Sequence, residues 1–149
     1  MTISERQPGI DAIVGVDYLF AREVDTETKI GLTKVTLTPV SGKAWKPIYI
    51  TPGSAALTSE QKDEFEGKII ENKFEMKVPG ASADLLEDLM LICGRAIVLK
   101  LTYESGAALI CGGKEKFLKL VYSGTHGTNL GYVLQFDYKS RDAFKWEQL

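Results

Sequence analysis

One amphipathic segment set among strand-like runs limits what this chain can build. Between Pro79-Gly80 and Gly94, the residues Leu85, Leu86, Leu89, Met90 and Cys93 recur at helical spacing, while Asp84, Glu87, Asp88 and Leu91 fall off that face. Ser82 is suited to cap the first turn, and Asp84 puts negative charge where the helix dipole favours it. Gly94 is suited to the left-handed residue that closes a helix. The spacing predicts a helix over Ala83–Cys93, about three turns long. Everything around it reads as strand.

Before the helix, Ile70, Phe74, Met76 and Val78 alternate with Glu71, Lys73, Glu75 and Lys77, the pattern of a sheet with one buried and one wet face. After it, Ile97, Leu99, Leu101 and Tyr103 share one face and Val98 adds to the other, so Ala96–Tyr103 is expected to be the most buried strand. Glu104-Ser105-Gly106 turns the chain into a hairpin with Ala107–Cys111, and Gly112-Gly113 breaks or bulges that strand. Phe117–Tyr122 reads as a further strand and Ser123–Gly131 as a glycine-rich loop. In Gly131–Tyr138, the residues Tyr132, Leu134, Phe136 and Tyr138 fall on one face. Phe144 and Trp146 in the tail need somewhere to dock.

The first half is less regular. Strands are expected over Ile13–Phe20, Leu32–Val40 and Ala44–Thr51; Pro39 and Pro47 lack amide donors, which puts these strands at an edge or at bulges. Ala21–Gly31 is charged and reads as a loop or hairpin tip. Pro52–Gly67 reads as a loop in which Thr58-Ser59-Glu60-Gln61 matches a capping box and starts at most one helical turn. The expected fold class is therefore α+β: a β-rich sandwich or barrel with one flanking α-helix, Ala83–Cys93. Residues 1–149 are expected to form a single domain, with an N-terminal arm over 1–11 and flexible loops over 21–31 and 52–67. A chain of 149 residues buries about 70% of its unfolded surface, enough for one sizeable core.

Chemistry is harder to find. With 18 basic and 20 acidic side chains the net charge is −2, so no global field draws the chain to nucleic acid or an anionic membrane. No apolar run approaches the ~20 residues of a spanning helix. The polar opening residues lack the apolar core of a secretory signal, so cytoplasmic synthesis is expected. Cys93 and Cys111 match no metal spacing and read as buried, reduced thiols. The one histidine, His126, has no Cys, Asp or Glu beside it in sequence and reads as a loop residue. Gly112-Gly113-Lys114 fails as a phosphate loop because Glu115 follows and no helix opens there. Gly124-x-x-Gly127 lacks the helix of a dinucleotide fingerprint, and no Gly-x-Ser-x-Gly elbow occurs. No catalytic, cofactor-binding or metal-binding residue is assigned, and no cofactor is expected.

The order of elements, with an N-terminal arm, an early polar loop and one helix inserted before the final strands, resembles the tail-tube superfamily. That group includes phage tail-tube proteins and the tube proteins of contractile injection systems. The runs Phe74-Glu75-Met76-Lys77-Val78-Pro79-Gly80, Ile97-Val98-Leu99-Lys100-Leu101, Leu109-Ile110-Cys111-Gly112 and Gly131-Tyr132-Val133-Leu134-Gln135-Phe136 also resemble small structural proteins encoded in prophages. The resemblance implies a non-enzymatic structural protein of a phage or phage-like tail. It would self-associate into a homo-oligomeric ring or tube, contact other tail or neck proteins, and enter a virion or phage-like particle. The alternative is a monomeric small β-barrel binding an apolar ligand, with Phe74, Leu99, Leu101, Phe136 and Tyr138 lining its pocket.

Overall fold

Strand alternation this regular can bury an apolar face only against a second layer. The computed structural model describes residues 12–65, 67–80, 83–113, 116–125 and 131–148. In chain order the strands are β1 (Ile13–Phe20), β2 (Val24–Ile30), β3 (Lys34–Pro39), β4 (Lys46–Ile48), β5 (Ala56–Glu64) and β6 (Gly67–Pro79). After the helix α1 (Ala83–Ile92) come β7 (Ile97–Tyr103), β8 (Ala108–Cys111), β9 (Val121–Thr125), β10 (Gly131–Ser140) and β11 (Lys145–Glu147). They form a seven-stranded sheet in the order β2-β3-β11-β8-β7-β1-β4 and a four-stranded sheet in the order β5-β6-β10-β9. Among the described residues the fold is a β-rich α+β arrangement of two sheets and one α-helix.

The two sheets share one core. Val16, Ile97, Leu99, Leu101 and Cys111 of the larger sheet pack with Phe74, Met76, Val78, Leu134 and Phe136 of the smaller. Phe74 and Phe136 sit directly opposite in register, with ring centroids 5.3 Å apart. As the alternation requires, β7 is buried on both faces: Val98 joins Leu19, Val24, Val35, Leu37 and Ile110 in a second cluster, against which Trp45 packs. The tail docks as its aromatics demand. Phe144 stacks on Tyr138 at 5.8 Å, and Trp146 meets Tyr103 at 5.4 Å.

Several expectations need correction. The segment 21–31 is not a flexible loop: a 3₁₀ turn, Ala21–Glu23, leads into β2, which pairs antiparallel with β3. Nor is 52–67 a loop with a helical turn. Its central part is β5, paired with β6 from Ala56 opposite Glu75 to Glu64 opposite Gly67. The residues taken for a capping box lie in this strand because cross-strand partners outbid local hydrogen bonds. The Ser59 hydroxyl lies 2.6 Å from Oδ1 of the buried Asn72, whose amide nitrogen donates to the Tyr138 carbonyl. Of Ala44–Thr51 only Lys46–Ile48 is strand, at the sheet edge where Pro47 costs no ladder bond. Pro39 ends β3 opposite a register shift between Val24 and Thr26. In Phe117–Tyr122, Leu118 makes an isolated bridge to Ile97 and the strand proper starts at Val121. The same strand takes in Ser123–Thr125, expected as loop. The expected arm over 1–11, the cap at Ser82 and His126 lie outside the described residues.

The helix is where expected and Gly94 follows it at φ +81°, but its buried face is rotated. Leu89 and Ile92 enter the core, Leu85 and Leu86 pack at its margin, and Met90 is 61% exposed. Leu89→Ala is expected to cost about 2–5 kcal/mol, whereas Met90→Ala changes stability by about 0.5 kcal/mol or less; urea denaturation of both variants checks the face.

Strand β11 joins two parts of the larger sheet. It runs parallel to β3, with Trp146 opposite Lys34, and antiparallel to β8, with Lys145 opposite Ile110. The Trp146 and Gln148 amides donate to the Thr33 and Val35 carbonyls at 2.8 and 3.0 Å. A chain ending at Ala143 is expected to lose cooperative thermal unfolding followed by circular dichroism, because β3 and β8 then have no common partner.

Candidate functional site

With no catalytic residue assigned from sequence, the candidate site is sought in what the fold leaves unpaired, charged or exposed. Between the sheets the described residues pack closely. Phe74, Leu99, Leu101 and Phe136, expected as pocket lining in the ligand-binding alternative, pack against one another between the sheets, and Tyr138 is half-buried on Phe144. Among the described residues no three His, Cys, Asp or Glu side chains come together as a metal site requires. No helix among them is long and apolar enough to cross a membrane.

The thiols are free and poor nucleophiles. Burial pushes Cys93 up from its ordinary 9.0 to about 11 and raises Cys111 further still. Both folded values lie above the unfolded one, so the thiols leave stability intact below about pH 9 and erode it above, as the unfolded chain ionises first. Stability in urea is expected to fall between about pH 9 and pH 11, and Cys93→Ala should make that fall shallower.

Ionic chemistry gathers where β1 ends. The 3₁₀ turn folds Glu23 back so that its carboxylate accepts the Phe20 amide at 3.2 Å. That carboxylate is 5% exposed and lies 3.7 Å from Lys43 and 3.8 Å from Lys46. Lys46 also stands 5.7 Å from the Tyr18 ring centre and 5.4 Å from that of Phe20, and those rings meet edge to face at 5.6 Å. Burial raises the Tyr18 hydroxyl, helped by Asp88 and Glu23. This network holds the corner together and binds its charges to each other.

Beside it lies a cleft of about 310 Å³ lined by Phe20, Arg22, Arg95 and Ala96. The Ala21 amide donates to the Ala96 carbonyl at 3.0 Å, which brings Arg22 and Arg95 to one place from distant parts of the chain. The Arg22 guanidinium sits 5.3 Å from the Phe20 ring centre. A broader groove of about 580 Å³ runs along the smaller sheet among Thr58, Lys73, Glu75 and Gln135, and Phe74 and Phe136, two of the residues expected in the ligand pocket, border it. There Lys62 and Lys73 reach Glu71 at 2.9 and 3.3 Å and hold its carboxyl below the usual range.

Two of the three most exposed large apolar residues among those described lie at turns. Leu32, between β2 and β3, is 89% exposed; Phe65, between β5 and β6, is fully exposed; Tyr49, just after β4, is 84% exposed. Sequence reading placed the first two in or beside loops and assigned them no role. The signal was a large apolar residue within two positions of a turn glycine, in Gly31-Leu32 and Phe65-Glu66-Gly67. Gly67 sits at φ +116°, a conformation side-chain-bearing residues rarely adopt.

Comparison with known proteins finds no family model, curated protein or solved structure that matches this chain.

Proposed function

We propose that this chain is a non-enzymatic structural subunit that associates with copies of itself into a ring or tube, in the manner of a phage or phage-like tail protein. The observation that carries this reading is the pair of hairpins β2–β3 and β5–β6, each offering a large apolar residue to water at its tip. A two-stranded ribbon gains little stability from its own tip. An apolar side chain there contributes when a second surface covers it, at about 25 cal/mol for each Å² removed from water. Among the described residues the core side chains of the two sheets pack on one another and the two thiols are buried or half-buried, which supports the same reading. Unlike patches meeting through a fixed rotation close into a ring or continue as a filament.

Light scattering with negative-stain microscopy across a concentration series tests this. The expected result is a mass several times that of the monomer, with ring or tube outlines. Leu32→Asp is expected to weaken association by about tenfold or more without changing the thermal midpoint of the monomer. A chain that stays monomeric while retaining a bound apolar molecule would instead favour the ligand-binding barrel.

A further inference from the structure

An edge strand is a template for a further strand unless something blunts it. Among the described residues the two sheets end in four edges, β2, β4, β5 and β9. Three of them are blunted. β2 meets its neighbour with a register shift between Val24 and Thr26, β4 has three residues with Pro47 at its centre, and β9 has five residues with Gly124 among them. β5 carries no such device. Its nine residues, Ala56–Glu64, pair with β6 one for one without a break and include neither proline nor glycine. No strand among the described residues lies on its other side, so alternate backbone amides and carbonyls point away from β6 with no ladder to join.

The order of side chains along this edge is complementary to itself. Glu60 and Lys62 are both exposed and, two residues apart on a strand, share one face. When two copies of β5 run antiparallel about a two-fold axis through Gln61, Glu60 of each copy stands opposite Lys62 of the other. An axis through Glu60 sets that carboxylate against itself, and an axis through Lys62 does the same to the ammonium. Of these registers only the one at Gln61 pairs opposite charges. Lys62 already reaches Glu71 of its own chain at 2.9 Å, and its three donors leave room for a second carboxylate. Glu60 makes no ion pair among the described residues. The same register brings Phe65 of one copy level with Leu57 of the other. Leu57 lies opposite Phe74 and packs at the margin of the core, whereas Phe65 is fully exposed in its own chain.

We propose that two copies of this chain join edge to edge through β5, antiparallel about Gln61, so that their two four-stranded sheets continue as one. The inference goes beyond the ring or tube reading and does not rest on it. Identical patches meet, so the contact closes at two copies. The Leu32 tip takes no part in it and remains for any contact between unlike patches. Backbone hydrogen bonds along the shared edge supply affinity, and the alternating side chains fix the register. The Glu60–Lys62 pairs lie on an exposed face, which makes the contact sensitive to salt.

The test is charge reversal, read by sedimentation velocity of the full chain. Glu60→Lys and Lys62→Glu, each alone, set like charges opposite one another and are each expected to weaken association about tenfold or more. Mixing the two variants is expected to restore pairing to within about threefold of the unaltered chain, because one copy of each then matches the other at both positions. Gln61→Cys, on the axis, is expected to give a disulfide-linked dimer under mild oxidation, whereas Thr58→Cys, away from the axis, and the unaltered chain do not. Far-ultraviolet circular dichroism and thermal midpoints of all variants establish that the fold survives; Phe65→Ser supplies an uncharged check and is also expected to weaken association. An unaltered chain that associates, with both reversals associating equally well, overturns the pairing and leaves the assembly reading standing. Impairment by each reversal with no recovery in the mixture, or no cross-link through Gln61→Cys, also overturns the pairing. Association that follows these variants and stops at two copies supports the pairing and overturns the ring or tube. An unaltered chain that is monomeric at every concentration overturns both.

Discussion

The pairing of β6 with β10 is the constraint on which the rest of this molecule depends. Phe74 faces Phe136, Met76 faces Leu134 and Val78 faces Tyr132 across one unbroken register. These pairs form the apolar side of the smaller sheet. They settle against Ile97, Leu99 and Leu101 of β7, which has no exposed residue among those three. A shift of one residue would turn this apolar set to water and the charged set inward, so the register is fixed by burial on one side alone. The helix adds Leu89 and Ile92 to the same interior.

Polar groups inside or near the layers are consistently matched. Asn72 is 1% exposed on the inward side of β6, yet it bridges Ser59 on β5 and the Tyr138 carbonyl on β10. Glu71, one residue earlier on the outer side, takes two lysines. On the far side of the larger sheet, Lys100 lies 5.0 Å from the Trp45 ring centre and 3.3 Å from Glu147. This joins the loop after β3 to β11. Among the described residues no buried side-chain polar atom lacks a partner, as expected where an unmatched buried group would cost about 1–3 kcal/mol.

How much of this was legible in the sequence follows from where each element draws its stability. β6, β7 and β10 carry their own alternation, and α1 its own periodicity, so their positions could be read locally. β2 and β5 could not be read that way. Their residues are mostly charged or hydroxylated, and what makes them strands is a partner already committed to extended backbone. The helix face was misread at Met90 because periodicity defines a stripe about the axis, whereas burial depends on which part of that stripe meets the sheets. The candidate site was least legible. Arg22 and Arg95 lie far apart in sequence and come together where the β1–β7 pairing ends, with Phe20 opposite Ile97, and Phe65 looks in sequence like any loop aromatic.

The place of β11 has a consequence in time. Its partners β3 and β8 are made earlier by the ribosome, and Trp146 must find Lys34 across more than two-thirds of the chain. Without it, the β2–β3 hairpin and the block containing β8, β7, β1 and β4 would have no common partner and each would present an unpaired backbone edge. Such long-range pairing is slow to form, and open edges recruit foreign strands. Any fault in β11 would therefore open both halves of the larger sheet at once.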